Sequence, residues 1–146
     1  QDIEEYVQAA EELDEPYAFA MLDIDHFKKI NDTYGHDGGD KILKSLAKIL
    51  IDNTKGRDVV ARFGGEEFCV VLKKIAKEEA IKFFVNLRAK VAENEVIIKD
   101  KTIKVTVSIG VSFGKGHCEI DDMLEACDSA LYVAKENGRN RVEIAL

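Results

Sequence analysis

The chain is poor in residues that break or staple a fold. It has one proline, Pro16, no tryptophan and no low-complexity tract, which excludes a proline-rich linker, a collagen-like array and an intrinsically disordered chain. Its cysteines, Cys69, Cys118 and Cys127, are odd in number and lack metal-site spacing, so they read as reduced thiols rather than a disulfide framework. No apolar run approaches the roughly 20 residues of a membrane span, and no signal peptide is visible. Excess positive charge is also missing: 21 Lys and Arg against 28 Asp and Glu leave a net charge of -7. That argues against a general grip on nucleic acid, which is mostly Lys and Arg neutralising phosphates. A small phosphorylated ligand handled through a metal stays open.

What is present suits one domain over residues 1–146. A chain of 146 residues, 46% hydrophobic and 34% charged, buries roughly 70% of its unfolded surface on a single core. It begins at Gln1 rather than a methionine, so it is expected to be a fragment of a longer protein. A cytoplasmic location is expected, with any membrane anchor in a preceding region.

Periodicity orders the chain. Residues 2 to 13 place Ile3, Tyr6, Val7, Ala10 and Leu13 at helical spacing. YAFAMLDI, 17 to 24, is a short apolar strand, and FKKIND, 27 to 32, predicts one or two helical turns. A longer helix at about 38 to 52 carries Ile42, Leu43, Leu46, Ile49 and Leu50 on one stripe. DVVARF and EFCVVLKK flank Gly64-Gly65 and predict a hairpin. Residues 77 to 93 predict a helix, 95 to 114 a hairpin whose second arm is long, 120 to 138 a helix ended by Asn137-Gly138, and RVEIAL a last strand. The order α-β-α-β-β-α-β-β-α-β predicts an α+β fold, a mainly antiparallel sheet with helices on its faces.

Two acidic groups stand at the ends of apolar strands. Asp23-Ile24-Asp25 closes the first strand, where alternation puts both carboxylates on one side of the sheet, and Glu66-Glu67 opens the second arm of the glycine hairpin. Adjacent like charges repel, and burying them unpaired costs several kcal/mol, so something cationic is expected. If the two strands are neighbours, magnesium is the natural compensation. A hard cation on a few carboxylates, with positions left for phosphate oxygens, suits phosphoryl or nucleotidyl transfer. A solvated turn is the alternative for Glu66-Glu67.

Three other motifs fail on inspection. An EF-hand loop starting at Asp32 needs Asp or Asn at 34 and glycine at 37, where Tyr34 and Asp37 stand. An aspartyl-phosphatase reading of DIDHF wants Thr or Val where Phe27 sits. GGEEF supplies no Gly-Lys-Ser/Thr of a Walker loop.

Taken together, GGEEF on a hairpin, DIDHFKKINDTYGHDGGD some 40 residues earlier, VTVSIGVS, and ALYVAKENGRNRV near the end resemble a GGDEF domain, the diguanylate cyclase family, over about Tyr17 to Val142. The resemblance implies the fold of nucleotidyl cyclases and polymerase palms, and condensation of two GTP into cyclic di-GMP and two pyrophosphates. It makes Asp23, the Ile24 carbonyl, Glu66 and Glu67 ligands of magnesium or manganese, and gives Glu66 a part in deprotonating the attacking 3′-hydroxyl. Asn31 and Asp40 match the pair that reads guanine, whose N1-H and N2-H₂ edge offers donors that adenine lacks. Backbone around Phe27 and Lys28 matches a triphosphate cradle, with Lys28, Lys135 and Arg139 supplying positive charge, Lys28 as a catalytic group. Lys135 and Arg139 are four apart, so at a helix end they can point the same way. His36 lies near the nucleotide in the family pattern, and Gly64-Gly65 let backbone approach it.

By the same resemblance, two domains face each other as a homodimer, normally governed by a sensor or receiver domain placed before this one. Two departures stand out. The family's DxLTxLxNRR-like segment before the first helix is not in this sequence, and the product-inhibition motif, normally Arg-x-x-Asp, reads KGRD, Lys55 to Asp58. Lys55, Arg57 and Asp58 are expected to form a weak allosteric site or none, because a lysine lacks arginine's planar fork. The alternatives are a receptor module that binds GTP or cyclic di-GMP without turnover, and a cyclase of relaxed base choice.

Overall fold

A computed structural model describes residues 15–54, 58–115 and 120–145. The helix expected over 2 to 13, together with Lys55, Arg57 and Cys118, lies outside the described residues. The strand β1, Tyr17–Ile24, is buried along its whole length, as a continuous apolar run requires when both faces of a sheet are covered. It is the centre of a five-stranded sheet ordered β2-β3-β1-β6-β7, with β2 Val59–Arg62, β3 Glu67–Lys73, β6 Val107–Gly114 and β7 Val142–Ile144. All pairings are antiparallel except β6 with β7.

Strand alternation splits the core in two. Ala18, Ala20, Leu22 and Ile24 face the helices α1, Phe27–Asn53, and α2, Lys77–Glu93, packing with Ile42, Leu46, Leu50, Phe84 and Leu87. Tyr17, Phe19 and Met21 face the other way, onto Met123, Cys127 and Leu131 of α3, Ile120–Glu136. The thiols of Cys69 and Cys127 are buried in this second layer, and burial pushes the Cys127 thiol up to about 11 and that of Cys69 higher still, so both are inert. The α+β class expected from the sequence therefore holds.

Local departures have local causes. The two helical pieces expected around Gly35 are joined in one element with a break there, Gly35 having φ 75° and ψ 175°. The helix expected to reach 138 ends at Glu136, where Gly138 takes φ 119° and the Arg139 N–H caps the Ala134 carbonyl at 2.9 Å. The long second arm expected over 95 to 114 is corrected. β4, Val96–Ile98, pairs only with β5, Lys101–Ile103, across a two-residue turn with positive φ at Lys99 and Asp100, and the chain leaves this ladder before entering the main sheet as β6. No glycine or proline marks that break in KTIKVTVSIG, so periodicity runs straight through it.

Candidate active site

The apolar face that β1 turns to α3 ends in a carboxylate, Asp23, and the buried stripe of α3 ends in an ammonium. Steps of four carry Met123, Cys127 and Leu131 to Lys135, and the Lys135 Nζ donates to Asp23 Oδ2 at 2.6 Å. Directly across the ladder from Asp23 stands Glu67, the first residue of β3. The strands that end in acidic residues are thus neighbours, as the proposed convergence of charge required.

The electrostatics of this rim are unfavourable to the carboxylates. Asp23 is 6% exposed, and burial pushes its carboxyl above the usual range against the bond and charge of Lys135, with Glu66 and Asp25 adding repulsion. Glu67 is likewise pushed up, first by burial, then by Asp23 and Asp128, with Lys135 opposing. Among the described residues no three His, Cys, Asp or Glu side chains already converge as a complete metal cluster. The donor chemistry nonetheless fits a hard divalent cation: two carboxylates on facing positions of adjacent strands, both pushed above their ordinary range first by burial, offer only oxygens, and one of them already holds a cation, the Lys135 ammonium.

Residues 63–66 link β2 to β3. Neither Gly64 nor Gly65 takes a positive φ, and a Cβ on Gly65 would meet nothing within 4 Å, so these glycines leave an open approach rather than relieving strain. Arg62 holds the loop, its Nε donating to the Gly64 and Gly65 carbonyls at 3.2 Å each and its second amino group to Gly65 at 2.8 Å. The Ile24 N–H donates to the Glu66 carbonyl at 3.3 Å, which brings the backbones of two sequence-predicted ligands together.

The remaining candidates divide among three places. Phe27 is buried and Lys28 exposed at the start of α1, after His26 in the left-handed region. Gly39 lies against the Asn31 side chain, since a Cβ there would collide with Asn31 Oδ1 and come within 3.2 Å of the Phe27 ring; Asn31 is therefore held beside the residue preceding Asp40. His36 and Asp40 are exposed. Arg139 is exposed too, but the expected helical relation to Lys135 is corrected: α3 has ended, and Arg139 sits in a turn at φ 64°. Asp58 stands at the opposite end of β2 from the glycine loop, accepting from the Lys73 N–H at 3.4 Å.

Several residues were missed. Arg62 had a signal, lying two positions before the first glycine. Asp128 had none, and neither had the partners of Asp25. Its carboxylate accepts from Thr106 Oγ1 at 2.6 Å, Ser108 Oγ at 2.7 Å and the Asn140 N–H at 3.0 Å, all from distant segments.

Comparison with known proteins bears on this geometry. The family model described as "Diguanylate cyclase, GGDEF domain" matches residues 1–141. The chain is 41% identical over 140 residues to diguanylate cyclase A of Treponema denticola, covering 95% of this chain and 38% of that protein. Among solved structures, the GGDEF domain of DgcB from Caulobacter crescentus in complex with c-di-GMP superposes with a TM-score of 0.90 at 32% identity, covering 97% of this chain and 82% of that one. The active GGEEF domain of a diguanylate cyclase from Vibrio cholerae gives 0.87 at 36%, covering 97% and 90%. The chain spans about a third of the length of the curated relatives it matches.

Proposed function

The chain belongs to the GGDEF domain family of diguanylate cyclases, and we propose that it condenses two GTP into cyclic di-GMP and two pyrophosphates. The observation that carries this reading is Asp23 opposite Glu67 on adjacent strands, with Lys135 on Asp23. Magnesium or manganese would be held by Asp23, the Ile24 carbonyl, Glu66 and Glu67, and when bound it supplies charge neutralisation to the triphosphate oxygens. Asn31 and Asp40 bind guanine, His36 lies beside the nucleotide, and Gly64-Gly65 leave room for it. Phe27 backbone, Lys28, Lys135 and Arg139 orient the phosphates. Lys135 has two duties: it screens Asp23 in the free protein and turns to phosphate in the complex.

In each half-reaction the 3′-oxygen of one GTP bonds to the α-phosphorus of the other, the bond from that phosphorus to the bridging oxygen breaks, and pyrophosphate leaves. Glu66 takes the proton of the 3′-hydroxyl, and Lys28 stabilises charge on the phosphates. Both halves need two chains face to face, so a homodimer forms during turnover, governed by a sensor or receiver domain. No described helix is long and apolar enough to cross a membrane.

Incubation with GTP and magnesium followed by product identification tests the proposal; GTP binding with no cyclic product would favour a receptor instead. Base choice gives a second test. Asp40→Ser is expected to narrow the preference for GTP over ATP, because charge-assisted bonds to guanine are worth ~1.5–3 kcal/mol each and adenine presents an acceptor at N1. Equal turnover of ATP and GTP by the parent would sink this assignment. At the KGRD segment, cyclic di-GMP is expected to inhibit weakly or not at all, and Lys55→Arg to strengthen inhibition roughly 5- to 150-fold. Tight inhibition of the parent, unchanged by Lys55→Arg, would refute that.

A further inference from the structure

Asp25 is a buried carboxylate that the mechanism above does not use. It is 6% exposed and stands one residue beyond β1, between the carboxylate end of that strand and the turn that follows α3. Three donors fill its oxygens: the hydroxyls of Thr106, just before β6, and Ser108, within it, and the Asn140 N–H. Its own N–H donates to the Thr106 carbonyl at 2.9 Å. The fixed side of this arrangement is the sheet, since Ser108 pairs with Asp23 across the ladder.

The other side is strained. Gly138, Arg139 and Asn140 take φ of 119°, 64° and 48° in succession, a left-handed run that costs two non-glycine residues roughly 1 kcal/mol or more each. Such a run persists only where its surroundings hold it. Asn140 is held twice, its N–H by Asp25 and its Oδ1 by the Arg88 guanidinium at 2.8 Å. Arg139 lies between the Lys135 end of α3 and this anchored residue.

We infer that Asp25 is a positioning residue, which fixes the 138–140 turn to the sheet and thereby aims Arg139 at the phosphates of the bound nucleotide. This deepens the proposed function and rests on it. A carboxylate is suited to the task because it accepts from two hydroxyls and a backbone N–H together without needing to donate. Asparagine of the same size replaces one acceptor by an NH₂ that faces donors.

The test is a double-mutant cycle on the 146-residue chain, reading magnesium-dependent GTP binding and, from initial rates, KM and kcat. Asp25→Asn and Arg139→Ala are each expected to weaken GTP binding by about 10-fold. The double variant is expected to match Arg139→Ala alone, since an arginine that is absent cannot be misplaced. Ser108→Ala, which removes one bond to Asp25 without touching the turn, is expected to weaken binding by about 3-fold and serves if Asp25→Asn does not fold. Amide exchange at Asn140 should accelerate in Asp25→Asn. Binding unchanged in Asp25→Asn, or losses that multiply in the double variant, would overturn the positioning role alone. A parent chain that bound no GTP with magnesium would overturn the functional reading, and the positioning role with it.

Discussion

Replacing Glu67 by glutamine is expected to lower cyclic di-GMP production by at least ~10²-fold while leaving the metal-free protein as stable as the parent or more so. The change keeps size and removes one negative charge opposite Asp23. In the free protein that charge is a liability, since burial and the neighbouring Asp23 and Asp128 hold the Glu67 carboxyl above its ordinary 4.5. A carboxyl raised on folding binds its proton more tightly in the native state. Its favourable contribution is therefore complete below the unfolded value and is lost as pH rises through the folded one.

Asp23, raised from 3.8, has the same sign. The thermal midpoint of the metal-free parent should thus lose a contribution from these two groups as pH climbs from their ordinary values through their raised ones. Glu67→Gln should remove the Glu67 share. Magnesium should raise the midpoint of the parent above that window, and raise it less in the variant. Parental turnover in the variant would refute the metal assignment, and a lower midpoint without metal would refute the electrostatic one.

The second large effect is on the fold itself. Gly110→Ala on β6 is expected to destabilise the protein by about 3 kcal/mol, lowering the thermal midpoint on the order of 10 °C. The methyl would collide with the Cys127 carbonyl oxygen, come to 2.5 Å from the Leu131 nitrogen and to 3.1 Å from the Ala130 carbonyl carbon. These are backbone atoms of α3, so no rotamer change clears them; the helix must move off the sheet. Because α3 carries Lys135 to Asp23, turnover should fall as well. Gly65→Ala is the control for stability, since its methyl meets nothing within 4 Å and the residue has no positive φ; its midpoint should stay close to that of the parent. A midpoint for Gly110→Ala within about 2 °C of the parent would show that the close packing of α3 on β6 is not what holds this layer.

Much of the architecture was legible locally. The apolar run of β1, the boundaries of α2, the hairpin around Gly64-Gly65 and the acidic ends of two strands follow from period and punctuation, because those signals depend on residues a few positions apart. The carboxylate pair could be anticipated as well, since like charges at the end of a buried strand need compensation wherever the strands lie. What periodicity could not supply is which strand lies next to which and what reaches across. The separation of β5 from β6 falls inside an unpunctuated run, and the relation of Lys135 to Arg139 changes because α3 stops at a left-handed turn held from outside the helix.

By itself, then, the sequence determined the α+β class, the family resemblance and the residue types of the site. Only the tertiary structure decided that Lys135 meets Asp23 across 112 positions of chain, and that Asp25 draws its donors from 81, 83 and 115 positions away. Those partnerships arise from sheet order and from the packing of α3 on β1 and β6, and a hydrogen bond between remote segments leaves no period in either segment from which it could be read.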